Sequence, residues 1–224
     1  SNIYQQQKQN GGIQEIMEYY QLSSNIIACD NFLPQSKVDQ LYVDLLNNRE
    51  RFKTSEWERP GKKTTNEFYS SFCGGFDFWE NWGKFSDKLP SIHSLNEMFM
   101  HQGLTSFVLQ KNIGLYKFLL RPLKYNLHVI CYNNGGYYGW HKDASADTLF
   151  TFNLVLSKPD GLEGADMLFM DDGKIIRIPS TNNMMLLFPS FTAHSITPLT
   201  SKDNKDVSFM AQRFSIQFWT SFLV

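Results

Sequence analysis

Residues 165–189 read ADMLFMDDGKIIRIPSTNNMMLLFP. Three apolar runs, ADMLFM, KIIRI and NMMLLF, are cut by the turns DDG and PSTN. Each run is of strand length and each interruption carries turn residues, so the stretch reads as three consecutive β-strands. The pattern extends both ways. LHVICY (127–132) and TLFTFNLVL (148–156) precede it and RFSIQFW (213–219) follows, with GG, KPDGLEG and PSFTAH as further turns. The chain beyond Pro122 is therefore a series of short strands with glycine turns, which points to a sandwich or jelly roll and not to alternating βαβ units.

The N-terminal half has a different texture. IIACDNFL (26–33) reads as a short buried strand. Pro34 and Ser36 open a helix running to about Asn48, with Val38, Leu41, Tyr42, Leu45 and Leu46 at helical spacing. A second helix is predicted over 91–102, and further helix from Thr105 to Phe118. Residues 49–66, RERFKTSEWERPGKKTTN, are a charged, Pro-Gly-broken stretch around Trp57, either a solvated loop or a mobile flap near a substrate. Residues 1–12 are polar and Gln-rich and read as a disordered tail. The expected fold class is α+β: residues 13–224 form one domain, 13–119 mainly helical and packed on one sheet of a jelly-roll core at 120–224.

Bulk composition narrows the function classes. With 224 residues, 42% of them hydrophobic, the chain can bury a large core. A formal net charge of −1 provides no field to recruit nucleic acid or an anionic membrane. No apolar run approaches the roughly 20 residues of a membrane span. Cys29, Cys73 and Cys131 form no CxxC pair, so reduced thiols and a cytoplasmic location are the simplest expectation.

The chemistry gathers around YNNGGYYGWHKDAS, residues 132–145. In an extended segment, positions i and i+2 project to one face, so His141 and Asp143 can converge on one ion, with Lys142 turned away. His194, in FPSFTAHSITPL, follows an apolar run and a proline turn and starts another β segment. Two histidines and one carboxylate on one face, with open positions beside them, is the donor set of non-haem Fe(II) oxygenases. His93 and His101 fall in the predicted second helix without a carboxylate pattern; His128 shares a strand face with Ile130 and Tyr132 and lines the pocket at most. Arg213 lies 19 positions beyond His194 on the strand RFSIQFW. A guanidinium pointing into a barrel is costly unless it meets an anion, and its fork suits the distal carboxylate of a keto acid. The alternative is a strand-edge arginine paired with an acid such as Asp206.

The ordered set Tyr132, Gly135-Gly136, Tyr138, His141, Asp143, His194 and Arg213 through Trp219 resembles the Fe(II)/2-oxoglutarate dioxygenase superfamily, and within it the prolyl hydroxylase branch. The resemblance covers about residues 120–222. It implies that His141, Asp143 and His194 ligate iron, that Arg213 holds the cosubstrate's distal carboxylate, that Tyr132 hydrogen-bonds the cosubstrate and that Tyr138 lines the pocket. GLEGADMLF (161–169) resembles the family's Gly-Gly turn, with Ala165 in place of the second glycine. The spacing from His194 to Arg213 is about twice the family's, so residues 200–210 look inserted. Lys202 and Lys205 lie nearer the usual distance, but the strand pattern selects Arg213. Where some relatives carry a tyrosine, TLFTFNLVL offers Thr151, Asn153 and Val155, and Asn153 or Thr151 is the substitute.

The implied cofactors are Fe(II), 2-oxoglutarate as cosubstrate, and ascorbate as an optional addition. The implied activity is hydroxylation of an unactivated C–H bond with release of succinate and CO2, most simply on a prolyl residue of a peptide or protein. A free amino acid or other small metabolite is the alternative substrate, with Arg177, Lys142 or Arg121 as partner for its carboxylate. A catalytically inactive jelly-roll binding protein is the reading from another class. Ile130, Leu154, Leu168, Leu187 and Ile196 are expected either to keep the pocket dry or to serve as ordinary core.

Overall fold

A computed structural model of the chain describes residues 18–56, 71–77, 102–120, 123–143, 148–156, 161–203 and 208–222. The N-terminal part contributes β1 (Glu18–Gln21), β2 (Ile27–Asp30), α1 (Gln35–Asn47), β3 (Lys53–Glu56), β4 (Ser71–Asp77) and α2 (Gln102–Lys111). The strands that follow are β5 (Leu123–Tyr132), β6 (Tyr138–His141), β7 (Thr148–Leu156), β8 (Leu162–Gly164), β9 (Met167–Asp171) and β10 (Lys174–Ile178). The last are β11 (Met184–Pro189), β12 (His194–Ile196), β13 (Leu199–Ser201) and β14 (Arg213–Phe222).

Eight strands form the major sheet in the order β1-β2-β11-β7-β14-β5-β4-β3, and four form the minor sheet, β10-β9-β12-β6. All described pairings are antiparallel. One core lies between the sheets: Ala28, Ile130, Tyr132, Leu186 and Phe188 from the major sheet meet Met167, Phe169, Ile178 and Ile196 from the minor one. This is the double-stranded β-helix. A second core covers the outer face of the major sheet, where Val129, Phe152, Leu154, Leu187, Phe214 and Ile216 meet the helices through Val38, Leu41, Leu45, Leu104 and Val108.

Helix α1 forms as its spacing predicts. The Pro34 carbonyl accepts the N–H groups of Lys37 and Val38, and Val38, Leu41 and Leu45 make one buried stripe, while Leu46 is exposed. Burying each large apolar side chain is worth about 1.5–3 kcal/mol, so packing on the sheet and not intrinsic propensity holds this helix. The continuous helix expected over 105–118 is interrupted. α2 begins earlier, at Gln102, and ends at Lys111; Asn112 takes φ +52, and Leu115–Leu120 continue as a 3-10 turn. Asparagine tolerates this left-handed conformation, which stops a helix. The N-terminal part also supplies four strands to the major sheet; β2 answers to the strand expected over 26–33, while β1, β3 and β4 were not anticipated. β2 stops at Asp30, where Asn31 turns at φ +49, and Phe32 and Leu33 are tied instead to Asn183.

Most of the helix expected over 91–102, the tail 1–12, Trp57 with the rest of its flap to 66, His93, His101, Arg121, Lys205 and Asp206 lie outside the described residues. Of the charged stretch, Arg49–Arg51 form a 3-10 turn and Lys53–Glu56 pair with β4.

Candidate active site

Two strand ends and the loop after β6 bring together three groups that could hold a metal ion. His141 is the last residue of β6 and His194 the first of β12, and the two are register partners, so both imidazoles enter the inter-sheet space side by side. Their ring centroids are 4.1 Å apart. Asp143 follows β6 by two residues and keeps the same face. Its Oδ1 lies 3.4 Å from His141 Nε2 and its Oδ2 3.5 Å from His194 Nε2. One ligand atom from each residue falls within 4.8 Å of the others. Lys142 between them is exposed, as the alternation requires.

Hydrogen bonding fixes the protonation pattern. His141 Nδ1 lies 2.8 Å from the Gly139 carbonyl and His194 Nδ1 lies 3.0 Å from the Thr192 carbonyl. A carbonyl only accepts, so each Nδ1 carries a proton, and each ring turns its Nε2 toward Asp143. Burial pushes the His194 pKa down to about 4, with His141 adding to it against the pull of Asp143 and Thr192. Burial would raise the Asp143 carboxyl, but the two histidines and the Thr151 hydroxyl outweigh it and hold Asp143 well below the usual carboxylate range. At neutral pH the site is thus an anion beside a neutral buried imidazole, the charge state that receives a dication.

The surroundings hold this geometry. Thr151 Oγ1 donates to Asp143 Oδ2 at 2.8 Å and stands 3.0 Å from Ser190 Oγ. Tyr138 packs on His141 with centroids 3.8 Å apart, and Phe188 meets the His194 ring edge-on at 4.8 Å. Phe169 closes the other side at 5.9 Å.

The second part of the site is cationic. Arg213 opens β14, directly paired with Tyr132 at the end of β5, and is fully buried. Its Cζ lies 5.0 Å from the Tyr132 ring centroid. Nε donates to Ser180 Oγ at 2.9 Å, but Nη1 and Nη2 meet no hydrogen-bond acceptor among the described residues. Burial pulls the guanidinium's pKa down, opposed by Tyr132 and Asp166. A buried cation with two open donors is costly to keep unless an anion occupies the space before it. Lys202, by contrast, is exposed on a turn.

The conformation of this region depends on Gly164 and its neighbour. Gly164 has φ +78, and a Cβ there would stand 2.1 Å from the Pro198 carbonyl oxygen. Ala165, in the second position of the turn, accepts φ +50 with its side chain fully buried.

The sequence profile of the 2OG-Fe(II) oxygenase superfamily matches residues 127–221, the span that carries all of these groups. Over that span the chain is similar to the 2OG-Fe(II) oxygenase superfamily. The chain is 27% identical over 104 residues to a PKHD-type hydroxylase of Pseudomonas putida, and the match covers 42% of each protein. It therefore spans less than half the length of that relative. Its fold is close to a prolyl hydroxylase from Trichoplax adhaerens solved with a hypoxia inducible factor peptide fragment: TM-score 0.59 and 17% identity, covering 89% of this chain and 84% of that one. It is also close to a Pseudomonas putida prolyl-4-hydroxylase, with TM-score 0.55 and 16% identity over 89% and 93% of the two chains. At these identities the likeness is one of fold.

The likeness to that superfamily implies Fe(II) and 2-oxoglutarate, and the residues present fit both. Two Nε2 atoms and a carboxylate suit a ferrous ion, and the open Nη edge of Arg213 suits a carboxylate. Two expectations change in detail. Thr151 and Asn153 do not stand open to a cosubstrate: Thr151 is engaged by Asp143 and Ser190, while Asn153 accepts from Ser215 and donates to Met167 Sδ at 2.8 Å. Leu154 and Leu187 belong to the outer core, and Leu168 is half-buried on the outer face of β9, leaving Ile130 and Ile196 inside. Both faces of β11 are apolar, so the sequence alone could not say which one turned inward; on β7 the face with Thr151 and Asn153 turns inward and the fully apolar face meets the helices. Sequence reading also missed Ser180, Asp166 and Ser190, because serine and aspartate in turns carry no periodic signal.

Proposed function

We propose that the protein is an Fe(II)- and 2-oxoglutarate-dependent dioxygenase that hydroxylates an unactivated C–H bond, with a prolyl residue of a peptide or protein as substrate. One observation carries the reading. A His-Asp-His cluster, with His194 buried and His141 and Asp143 half-buried, lies across Tyr132 from a fully buried arginine with unengaged Nη donors. Neither half has a structural purpose that explains its burial; together they match a metal-chelating diacid. Iron and the keto acid, when bound, supply oxidative decarboxylation to succinate and CO2 coupled to insertion of one oxygen atom into a C–H bond.

The chain's own residues do the rest. His141, Asp143 and His194 hold the metal from one side and leave the other side open. Arg213 grips the distal carboxylate of 2-oxoglutarate, and the Tyr132 hydroxyl hydrogen-bonds the same molecule. Phe169, Phe188, Ile130 and Ile196 exclude water from the reacting face. Tyr138 holds the His141 ring in place.

The peptide reading is favoured over a small acidic metabolite by what Arg177 does. A pocket for a free amino acid needs its own cation, and Arg177, the natural candidate, is taken by Asp166 at 2.5 Å. The Trichoplax adhaerens neighbour, solved with a peptide, points the same way. The test is mass spectrometry of two pools, proline-rich peptides and free amino acids, incubated with iron-loaded protein and 2-oxoglutarate. Gain of one oxygen atom on a peptide prolyl supports the proposal. Gain confined to a free amino acid moves it to the small-molecule class. A protein that forms no succinate with any substrate belongs with the inactive jelly rolls.

A further inference from the structure

A guanidinium can hold a carboxylate by its Nε–Nη side or by its Nη1–Nη2 end. In Arg213 the side is closed, because Nε–H donates to Ser180 Oγ at 2.9 Å, and the end remains open. Ser180 sits in the turn between β10 and β11 and is itself fixed, its backbone N–H donating to Asp166 Oδ1 at 3.1 Å. Asp166 is held from the other side. Its Oδ2 accepts Arg177 Nε at 2.7 Å and Nη2 at 2.5 Å, and its backbone N–H donates to Thr197 Oγ1 at 2.9 Å.

This arrangement has an odd feature. A buried, unpaired guanidinium ordinarily takes the nearest carboxylate, and Asp166 is close enough to influence Arg213. Instead both carboxylate oxygens of Asp166 are occupied, one by Ser180 and one by Arg177, whose side chain is 64% exposed. An exposed pair of that kind adds little stability.

We infer that Asp166 and Ser180 are positioning residues for the cosubstrate: they aim the Nη edge of Arg213 at the distal carboxylate of 2-oxoglutarate, and Arg177 keeps Asp166 from neutralising it. The inference rests on the proposed function. Its signature is selectivity for the distal carboxylate. Ser180 and Asp166 touch neither the metal ligands nor the keto-acid end, so a keto acid lacking that carboxylate is indifferent to them.

The experiment is calorimetric titration of the full chain loaded with Mn(II), using 2-oxoglutarate and 2-oxopentanoate, the same skeleton without the distal carboxylate. Ser180→Ala is expected to weaken 2-oxoglutarate binding about tenfold, the worth of one hydrogen bond to a charged group, with 2-oxopentanoate binding unchanged. Ser180→Thr, which keeps the hydroxyl, is expected to restore most of the loss. Asp166→Asn, which keeps the shape but not the charge, is expected to show the same selective loss. Full 2-oxoglutarate affinity in both Ser180→Ala and Asp166→Asn, or an equal loss for both keto acids, overturns the inference. Wild-type protein that binds neither keto acid overturns the functional reading beneath it, a result distinct from the other two.

Discussion

Replacing Arg213 by methionine separates function from stability in a way few substitutions do. The native guanidinium is fully buried, makes one hydrogen bond through Nε, and leaves Nη1 and Nη2 without acceptors among the described residues. Desolvating such a cation costs several kcal/mol, and exchanging buried charge for apolar side chains of similar volume stabilises proteins by about 1–4 kcal/mol. The lost Nε bond offsets about 1.5–3 kcal/mol of that gain. The two terms nearly cancel, so the ligand-free variant is expected to stay within about 2 kcal/mol of the parent. For a chain of this length that is a shift of no more than about 4–8 °C in melting temperature. Binding of 2-oxoglutarate moves the opposite way. Loss of one partner of a buried, hydrogen-bonded charge pair costs about 2–5 kcal/mol, which weakens affinity at least about 30-fold. Calorimetric melting with and without saturating 2-oxoglutarate reads both effects, since a ligand that binds only the folded state raises its melting temperature. The parent should gain stability on adding 2-oxoglutarate and Arg213→Met should not. A variant that melts well below the parent, yet still responds fully to 2-oxoglutarate, would refute the assignment of Arg213 to an anion.

Other outcomes follow from the same geometry. Thr151→Val removes the donor to Asp143 Oδ2 while keeping the shape, and is expected to weaken Mn(II) binding about 10–100-fold, measured by metal titration of the apoprotein. Gly164→Ala places a Cβ 2.1 Å from the Pro198 carbonyl oxygen at φ +78, and is expected to cost well over 1 kcal/mol in denaturant unfolding. Burial pushes the Cys29 thiol up from 9.0 to about 12, so the folded state resists forming the thiolate that the unfolded chain forms readily. Its contribution to stability is whole below about pH 9 and is lost as pH rises toward 12, and native-state alkylation of Cys29 should be slow until the chain unfolds.

The division between legible and illegible residues has a physical basis. His141 and Asp143 were legible because two positions apart on an extended chain share a face whatever the tertiary structure does. His194 was legible as the second histidine of a two-histidine, one-carboxylate donor set at the start of a β segment, and Arg213 because a cation inside an apolar strand is expensive without an anion. The strands of the core declared themselves through short apolar runs and turn residues. What stayed hidden was non-local. Nothing near Asn183 indicates that its side chain ties down Leu33, 150 positions away in sequence. Nothing near Ser180 indicates that its hydroxyl meets Arg213. The inward or outward turn of Leu154 and Leu187 likewise depended on which core each strand face would meet. Strands β1, β3 and β4 at the margins of the major sheet lacked the long apolar runs that marked the central ones.

The most direct measurement is anaerobic addition of 2-oxoglutarate to the Fe(II)-loaded chain, followed by visible absorption. A keto acid chelating a ferrous ion through its carboxylate and carbonyl gives a charge-transfer band that neither component gives alone. The His141, Asp143, His194 and Arg213 assignment requires that band in the parent, requires its loss in Asp143→Ala, and requires a far higher 2-oxoglutarate concentration to reach it in Arg213→Met. A parent protein that shows no band at any 2-oxoglutarate concentration, or a band that survives in Asp143→Ala, would contradict it.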